Sequence, residues 1–212
     1  MLNGATDIHA QGSGSAAQAQ TVINANNSGN TLIAEVIDTS TAILNLTFTG
    51  NDLILLVTVT DAITVATAED IRNIPEIPDE TYNLDDTLAN LAAVADLAIL
   101  HDATNINATG SGNRLQAELV MLAFNSGLTT IAEVVDDATN AAAITYAANA
   151  TLAQLTVTGT ATVLQAANWV GNSHVTASTY SLKDTLGHEA GAGPGILDGA
   201  TDLTATGSGN AT

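Results

Sequence analysis

The chain contains no cysteine and only three basic residues, Arg72, Arg114 and Lys183, against 22 acids. Without cysteine there is no disulfide framework, no thiolate metal site and no thiol nucleophile. Three scattered bases argue against nucleic acid, which needs clustered lysine and arginine, and against anionic membrane surfaces. No stretch reaches the roughly 18 consecutive apolar residues of a spanning helix. The longest apolar run, around Leu53 to Val59, has strand length. Met1-Leu2-Asn3-Gly4 lacks the basic region and apolar run of a signal peptide. Aromatics are 3% of the residues and the net charge is −19. Such an acidic surface suits a secreted protein kept soluble by charge, or one that meets divalent cations.

What the chain does have is repetition. Leu2-Asn3-Gly4-Ala5-Thr6-Asp7-Ile8 returns as Leu100-His101-Asp102-Ala103-Thr104-Asn105-Ile106, and again as Leu197-Asp198-Gly199-Ala200-Thr201-Asp202-Leu203, at spacings of 98 and 97. Ile33-Ala34-Glu35-Val36 matches Ile131-Ala132-Glu133-Val134, and Tyr82, Leu84 and Asp86 match Tyr180, Leu182 and Asp184. A half-period lies inside. Gly12, Asp61, Gly110, Gly159 and Gly207 end one kind of strand-like stretch, and Asp38, Asp86, Asp136 and Asp184 end another. Interleaved, the strand ends step by about 24 residues, within the range of α/β solenoid repeats.

These spacings divide the chain into repeat 1 (1–98), repeat 2 (99–196) and the start of repeat 3 (197–212). Opening at a repeat start and stopping inside a strand-like motif, the chain reads as a segment of a longer array. The expected fold is α/β: a repetitive, elongated βα solenoid with parallel strands. The alternative is a mainly-β helix with short helices. Strands are expected at Ala103–Thr109, Thr130–Val135, Leu155–Thr158 and Tyr180–Asp184, with extra strands over Leu44–Phe48 and Ala142–Tyr146. Helices are expected over Leu88–Ile99, with Leu88, Leu91, Ala92 and Ala95 on one stripe; over Asn113–Asn125, with Leu115, Leu119, Leu122 and Ala123 inward; and over Ala161–Val170, with Leu164, Ala167 and Trp169 inward. Gly127 suits a left-handed cap. Asn73-Ile74-Pro75-Glu76-Ile77-Pro78 and Gly191-Ala192-Gly193-Pro194-Gly195 read as loops.

Two motifs carry a resemblance. Tyr180-Ser181-Leu182-Lys183-Asp184-Thr185-Leu186, with Tyr82-Asn83-Leu84-Asp85-Asp86-Thr87-Leu88-Ala89-Asn90-Leu91, is one. Thr156-Val157-Thr158-Gly159-Thr160-Ala161-Thr162-Val163-Leu164-Gln165-Ala166 is the other. They resemble repeats of very large bacterial surface and adhesin-like proteins, and the resemblance covers nearly the whole chain. Many such proteins leave the cell by type I secretion and carry hemolysin-type calcium regions elsewhere. The resemblance implies an extracellular or cell-surface location. The glycine-rich nonapeptide of those calcium regions is absent, so their calcium binding does not transfer.

No catalytic or cofactor-binding residue is expected. Gly110-Ser111-Gly112 is a repeated strand-to-helix turn, since no Lys-Ser or Lys-Thr follows it to form a phosphate loop. His9, His101, His174 and His188 lack metal spacing. Asp7, Asp102, Asp198 and Asp202 lie at repeat junctions. Asp38, Asp86, Asp136 and Asp184 can cap helices, or hold Ca²⁺ if carboxylates converge with carbonyl oxygens. The Thr-x-Thr pairs, such as Thr58/Thr60 and Thr156/Thr158, fit β-propensity better than an ice-binding ladder. The expected function is therefore a non-catalytic structural repeat segment, an extender, spacer or assembly scaffold whose partners are neighbouring repeats or copies of itself end to end. The second reading is an adhesin segment binding carbohydrate or another cell surface. A polysaccharide-acting solenoid enzyme comes third.

Overall fold

A computed structural model describes residues 4–25 and 27–207. Leu2 and Asn3 of the first repeat copy, and residues 208–212 of the third, lie outside the described residues. The fold is α/β, with parallel strands alternating with short helices.

Two compact units interleave along the chain: 1–86 with 94–106 and 125–127, and 87–93 with 107–124 and 128–212. In the first, β1 (Ile8–Gly14), β2 (Thr31–Asp38), β4 (Val57–Ile63) and β5 (Glu80–Thr87) pair in parallel in that order, and the short β3 (Asp52–Ile54) also pairs with β2. Its helices are α1 (Ala16–Ile23), α2 (Ser40–Leu44), α3 (Val65–Arg72) and α5 (Ala98–Asp102). Strand β6 (Ala103–Gly112) begins in this unit and ends in the next. In the second unit β7 (Thr129–Asp137), β8 (Ala150–Ala161), β9 (Val175–Thr185) and β10 (Asp202–Thr206) pair in parallel. Its helices are α4 (Leu88–Ala92), α6 (Arg114–Met121), α7 (Ala138–Ala142), α8 (Val163–Ala166), α9 (Leu186–Ala190) and α10 (Pro194–Asp198).

The eight helices α1–α4 and α6–α9 share one device. A Ser, Thr, Asn or Asp precedes each, and its side chain accepts from a first-turn N–H: Ser15 from Gln18, Thr87 from Asn90, Asn113 from Gln116, Thr162 from Gln165. The fourth helical residue after the cap is buried in every one: Ala19, Ile43, Ala68, Leu91, Ala117, Ala141, Ala166 and Glu189. Four of these are alanines spaced 49 apart (19, 68, 117 and 166). A side chain that small lets the helix lie close to the strands.

That rotation corrects the expected faces. In α6 the buried residues are Ala117, Val120 and Met121, while Leu115, Leu119 and Leu122 face solvent. Both stripes have helical spacing, and the cap register chooses the smaller one. In α8, Ala166 and the following Trp169 are buried, but Leu164 and Ala167 are exposed. The helix expected over Leu88–Ile99 is two, α4 and α5, and Ala95 lies exposed between them. No strand forms over Leu44–Phe48 or Ala142–Tyr146; α2 and α7 end there and irregular chain follows. Pro194 and Gly195 start α10 rather than continuing a loop.

The two strand ends differ physically. Gly110 and Gly159 sit at φ +70° and +75°, a region other residues enter at a cost. In β8 the pairing register shifts between Thr156 and Thr160, around Gly159, as a bulge requires. The left-handed residue after α6 is Phe124, at φ +59°, not Gly127. Gly127 is required for space: its N–H donates to the Thr104 carbonyl at 2.7 Å, and a Cβ would collide with that carbonyl and the Asn105 side chain. Gly29 meets Thr6 and Asp7 in the same way, 98 residues earlier. Gly159→Ala, whose Cβ meets nothing, should therefore cost about 1–2 kcal/mol from φ alone. Gly127→Ala should cost more, because backbone must move. Chemical denaturation of the two variants gives the order, and equal losses would refute the collision argument.

Candidate functional site: the aspartate row

The Asp residues at strand ends do one job repeatedly. Asp38 Oδ2 accepts from the Ala16 N–H at 3.0 Å, Asp86 Oδ2 from Val65 at 3.1 Å, Asp136 Oδ2 from Arg114 at 2.9 Å, and Asp184 Oδ2 from Val163 at 3.0 Å. Asp61 Oδ1 accepts from the Ser40 N–H at 2.7 Å, and its Oδ2 takes the Ser40 hydroxyl. Each donor is the first residue of the helix one coil earlier. The row joins successive coils by a charge-assisted bond to an otherwise orphaned helix N–H.

The other oxygen is also engaged. Asp38 Oδ1 accepts from Thr39 N–H, Asp136 Oδ1 from Asp137 N–H and the Asn140 amide, and Asp184 Oδ1 from Thr185 N–H. His188 Nδ1 lies 2.7 Å from Asp184 Oδ1. Burial alone would raise the Asp61 and Asp136 carboxyls. Hydrogen bonds outweigh it and hold both below the ordinary value, from Ser40 for Asp61, and from Arg114, Asn140 and Asp137 for Asp136. Asp184 is also lowered, first by His188 and then by the Thr185 N–H. The four calcium candidates, Asp38, Asp86, Asp136 and Asp184, thus bind backbone. Among the described residues no group of three or more His, Asp or Glu side chains is placed to hold a metal ion.

The junction acids separate. Asp7 Oδ1 accepts from the Asn30 N–H at 2.8 Å. Asp198 ends α10 and Asp202 starts β10, both exposed. Asp102 joins a cluster that the sequence did not reveal. Arg72 on α3 reaches Glu80 Oε1 at 3.0 Å, Asp102 Oδ2 at 2.6 Å and Asp96 Oδ2 at 3.2 Å. Glu80 is buried, which raises its carboxyl despite the pull of Arg72. The hydrogen bond it donates to Asp102, against the cost of burial, raises the Arg72 guanidinium in turn. Counted 98 onward, Arg72, Glu80 and Asp96 become Val170, Ser178 and Pro194. The cluster belongs to the first repeat alone, where it ties the turn at Asn73–Pro78 between α3 and β5.

His9 and His101 are exposed, and His101 lies beside Asp102. His174 Nδ1 lies 2.7 Å from the Ala150 carbonyl, which makes it the donor nitrogen, and the ring stacks on Tyr146 at 5.2 Å. No protein-family model matches the chain, and no curated protein or solved structure is similar to it.

Two substitutions test these roles. Asp136→Ala should lose about 1–2 kcal/mol at pH 7. Because the folded pKa lies below the ordinary 3.8, that contribution is present above the unfolded value and fades as pH falls through the folded one. The gap between wild type and variant in urea melts should close below about pH 4, and a constant gap down to about pH 2 would refute the assignment. Comparing the pair cancels the relief of self-repulsion on acidification. Arg72→Met strands Glu80 and should cost about 2–3 kcal/mol. Adding Glu80→Gln should recover part of it, and a second loss of the same size would show that the two do not act together.

Proposed function

We propose that this chain is a non-catalytic structural repeat segment of a large bacterial cell-surface protein, working outside the cell as a spacer or assembly scaffold. What supports it is that the same connections recur at the repeat spacing. Tyr82 Oη donates to the Ile99 carbonyl at 2.9 Å, and Tyr180 Oη to Ile196 at 2.7 Å. Thr58 Oγ1 donates to Glu35 Oε1 at 3.1 Å, and Thr156 Oγ1 to Glu133 Oε1 at 2.7 Å. Gln20 accepts from the Thr47 N–H and Glu118 from Thr145, each at 2.8 Å. Contacts that recur at the same positions, with Glu118 standing where Gln20 stood, fit an architecture that grows by addition.

The partners on this reading are further coils. All five residues of β10 are exposed and it pairs with β9. Another coil fits there, from neighbouring repeats or from a second copy end to end. No cofactor is required. Ca²⁺ would act by screening the acidic surface, and Mg²⁺ at equal ionic strength should then raise the melting temperature as much.

X-ray scattering tests the spacer reading. Tandem fusions of one, two and four copies of the chain should lengthen in proportion to copy number. A radius of gyration that follows compact-globule scaling would sink it. An adhesin segment for carbohydrate is the second reading, favoured by a polar cleft of about 610 Å³ lined by Asn24, Asn27, Ser28, Thr49 and Asn51. Glycan-array binding lost in Asn51→Ala would select it over the spacer.

A further inference from the structure

Inside the second unit, α4 packs on α6, and Leu88 at the start of α4 lies against Gly112 at the end of β6. Leu88 is wholly buried, and a Cβ built at Gly112 would stand 2.6 Å from its Cδ2. Gly112 is therefore a socket and Leu88 its knob. Both recur 98 residues away, and there each lacks its mate. The socket recurs in the first unit. Gly14, Gln18, Ala19, Val22, Ile33 and Glu35 repeat Gly112, Gln116, Ala117, Val120, Ile131 and Glu133 without a change, and they line a cavity of about 150 Å³. A Cβ built at Gly14 meets only Gln18. Ala10 and Val22 are half-buried, where Ala108 and Val120 are wholly buried. The knob recurs in the second unit as Leu186, at the start of α9, 44% exposed where Leu88 is 0%.

We propose that Leu186 of one copy seats beside Gly14 of a second copy, joining the two by the contact that Leu88 makes with Gly112 inside the chain. The inference rests on the scaffold reading and supplies its joint. Strand β1 of the second copy takes the edge of β9 that β10 holds. Its residues 7–11 repeat 202–206 in the array and replace them opposite 181–185. All five residues of β10 are exposed, and no helix follows it among the described residues. Strand β1 brings α1 with it. The exchange thus replaces a bare strand by a strand with a helix, which covers Leu186 and closes the cavity at Gly14. Two copies set −19 against −19, but α1 carries no ionisable side chain, so the repulsion acts at long range and salt screens it. The contact is head to tail and propagates.

The chain has no cysteine, so a disulfide reads the joint directly. Leu88 Cγ lies 3.0 Å from the Cβ built at Gly112, where a disulfide sets a sulfur relative to the carbon across the bond. Gly14→Cys and Leu186→Cys are made in separate full-length copies, mixed and mildly oxidised, and the link between positions 14 and 186 is followed by mass spectrometry. It should form roughly tenfold faster than the link from Leu97→Cys, another exposed leucine, because the joint raises the local thiol concentration. Added salt should speed it further. Val22→Cys, in the same cavity, replaces Gly14→Cys if that variant does not fold. Thr204→Pro, which spoils β10 as a strand, should keep or increase the advantage. Equal rates from positions 186 and 97 overturn the proposal. An advantage lost with Thr204→Pro overturns it in favour of pairing between the free edges of β10 and β1. Tandem fusions lengthen without this link, so the spacer reading can stand where the joint fails.

Discussion

The structure depends on the first-turn N–H groups of its short helices finding acceptors. Helices of four to eight residues are too short to stand alone in water, and their first-turn N–H groups have no partner of their own. A cap residue in the same coil supplies one acceptor. For α1, α2, α3, α6 and α8 an aspartate of the next strand supplies another. That second bond joins a strand end to the helix one coil before it, some 21 or 22 residues back. It pins the helix start beside the cap residue, whose register the buried fourth position follows in all eight capped helices.

Rotation then dictates size. The fourth residue after the cap points inward in all eight helices, and every second one is alanine. A leucine there in α6 or α8 would overpack a site that alanine fills. The helices after Asp38 and Asp86, α2 and α4, bury Ile43 and Leu91 instead, so coils with small and large inner residues alternate in the first repeat. The net charge of −19 is partly a by-product of this chemistry. Asp61 and Asp136 are held below the ordinary carboxylate value mainly by hydrogen bonds from Ser40 and from Arg114, Asn140 and Asp137, and Asp184 first by His188 and then by the Thr185 N–H.

The period, the parallel strands and the capping role of Asp38, Asp86, Asp136 and Asp184 were legible in the sequence, because each rests on a residue type recurring at a fixed spacing. The inner face of α6 was not. Leu115, Leu119 and Leu122 form as good a stripe as Ala117, Val120 and Met121, and hydrophobicity favours the wrong one. The alanines at 19, 68, 117 and 166 would have decided it, for a small residue kept at the repeat spacing marks close approach. The extra strands over Leu44–Phe48 and Ala142–Tyr146 failed because alternation over three residues also fits a helix end and the chain leaving it. The Arg72 cluster had no signal at all: its partners lie 8 to 30 residues apart in the chain, with no counterpart one repeat on.

One coil breaks the inner rule. At the fourth position of α9, where the other seven helices bury alanine, leucine or isoleucine, stands Glu189, 4% exposed. Its Oε1 accepts from the Asp184 N–H at 3.3 Å. Asp184 thus bonds in four directions: its carboxylate to Val163, Thr185 and His188, and its own N–H to Glu189. A buried carboxylate with one long hydrogen bond costs more than the alanine or leucine it replaces. The coil contacts do not require it, since the other seven helices manage without. The repeats are therefore alike where coil meets coil and differ at single places: Arg72 with its acids in one, the apolar outer face and Glu189 in the other. A function confined to particular coils belongs to those unshared residues, because the shared ones are already occupied in holding neighbouring coils together.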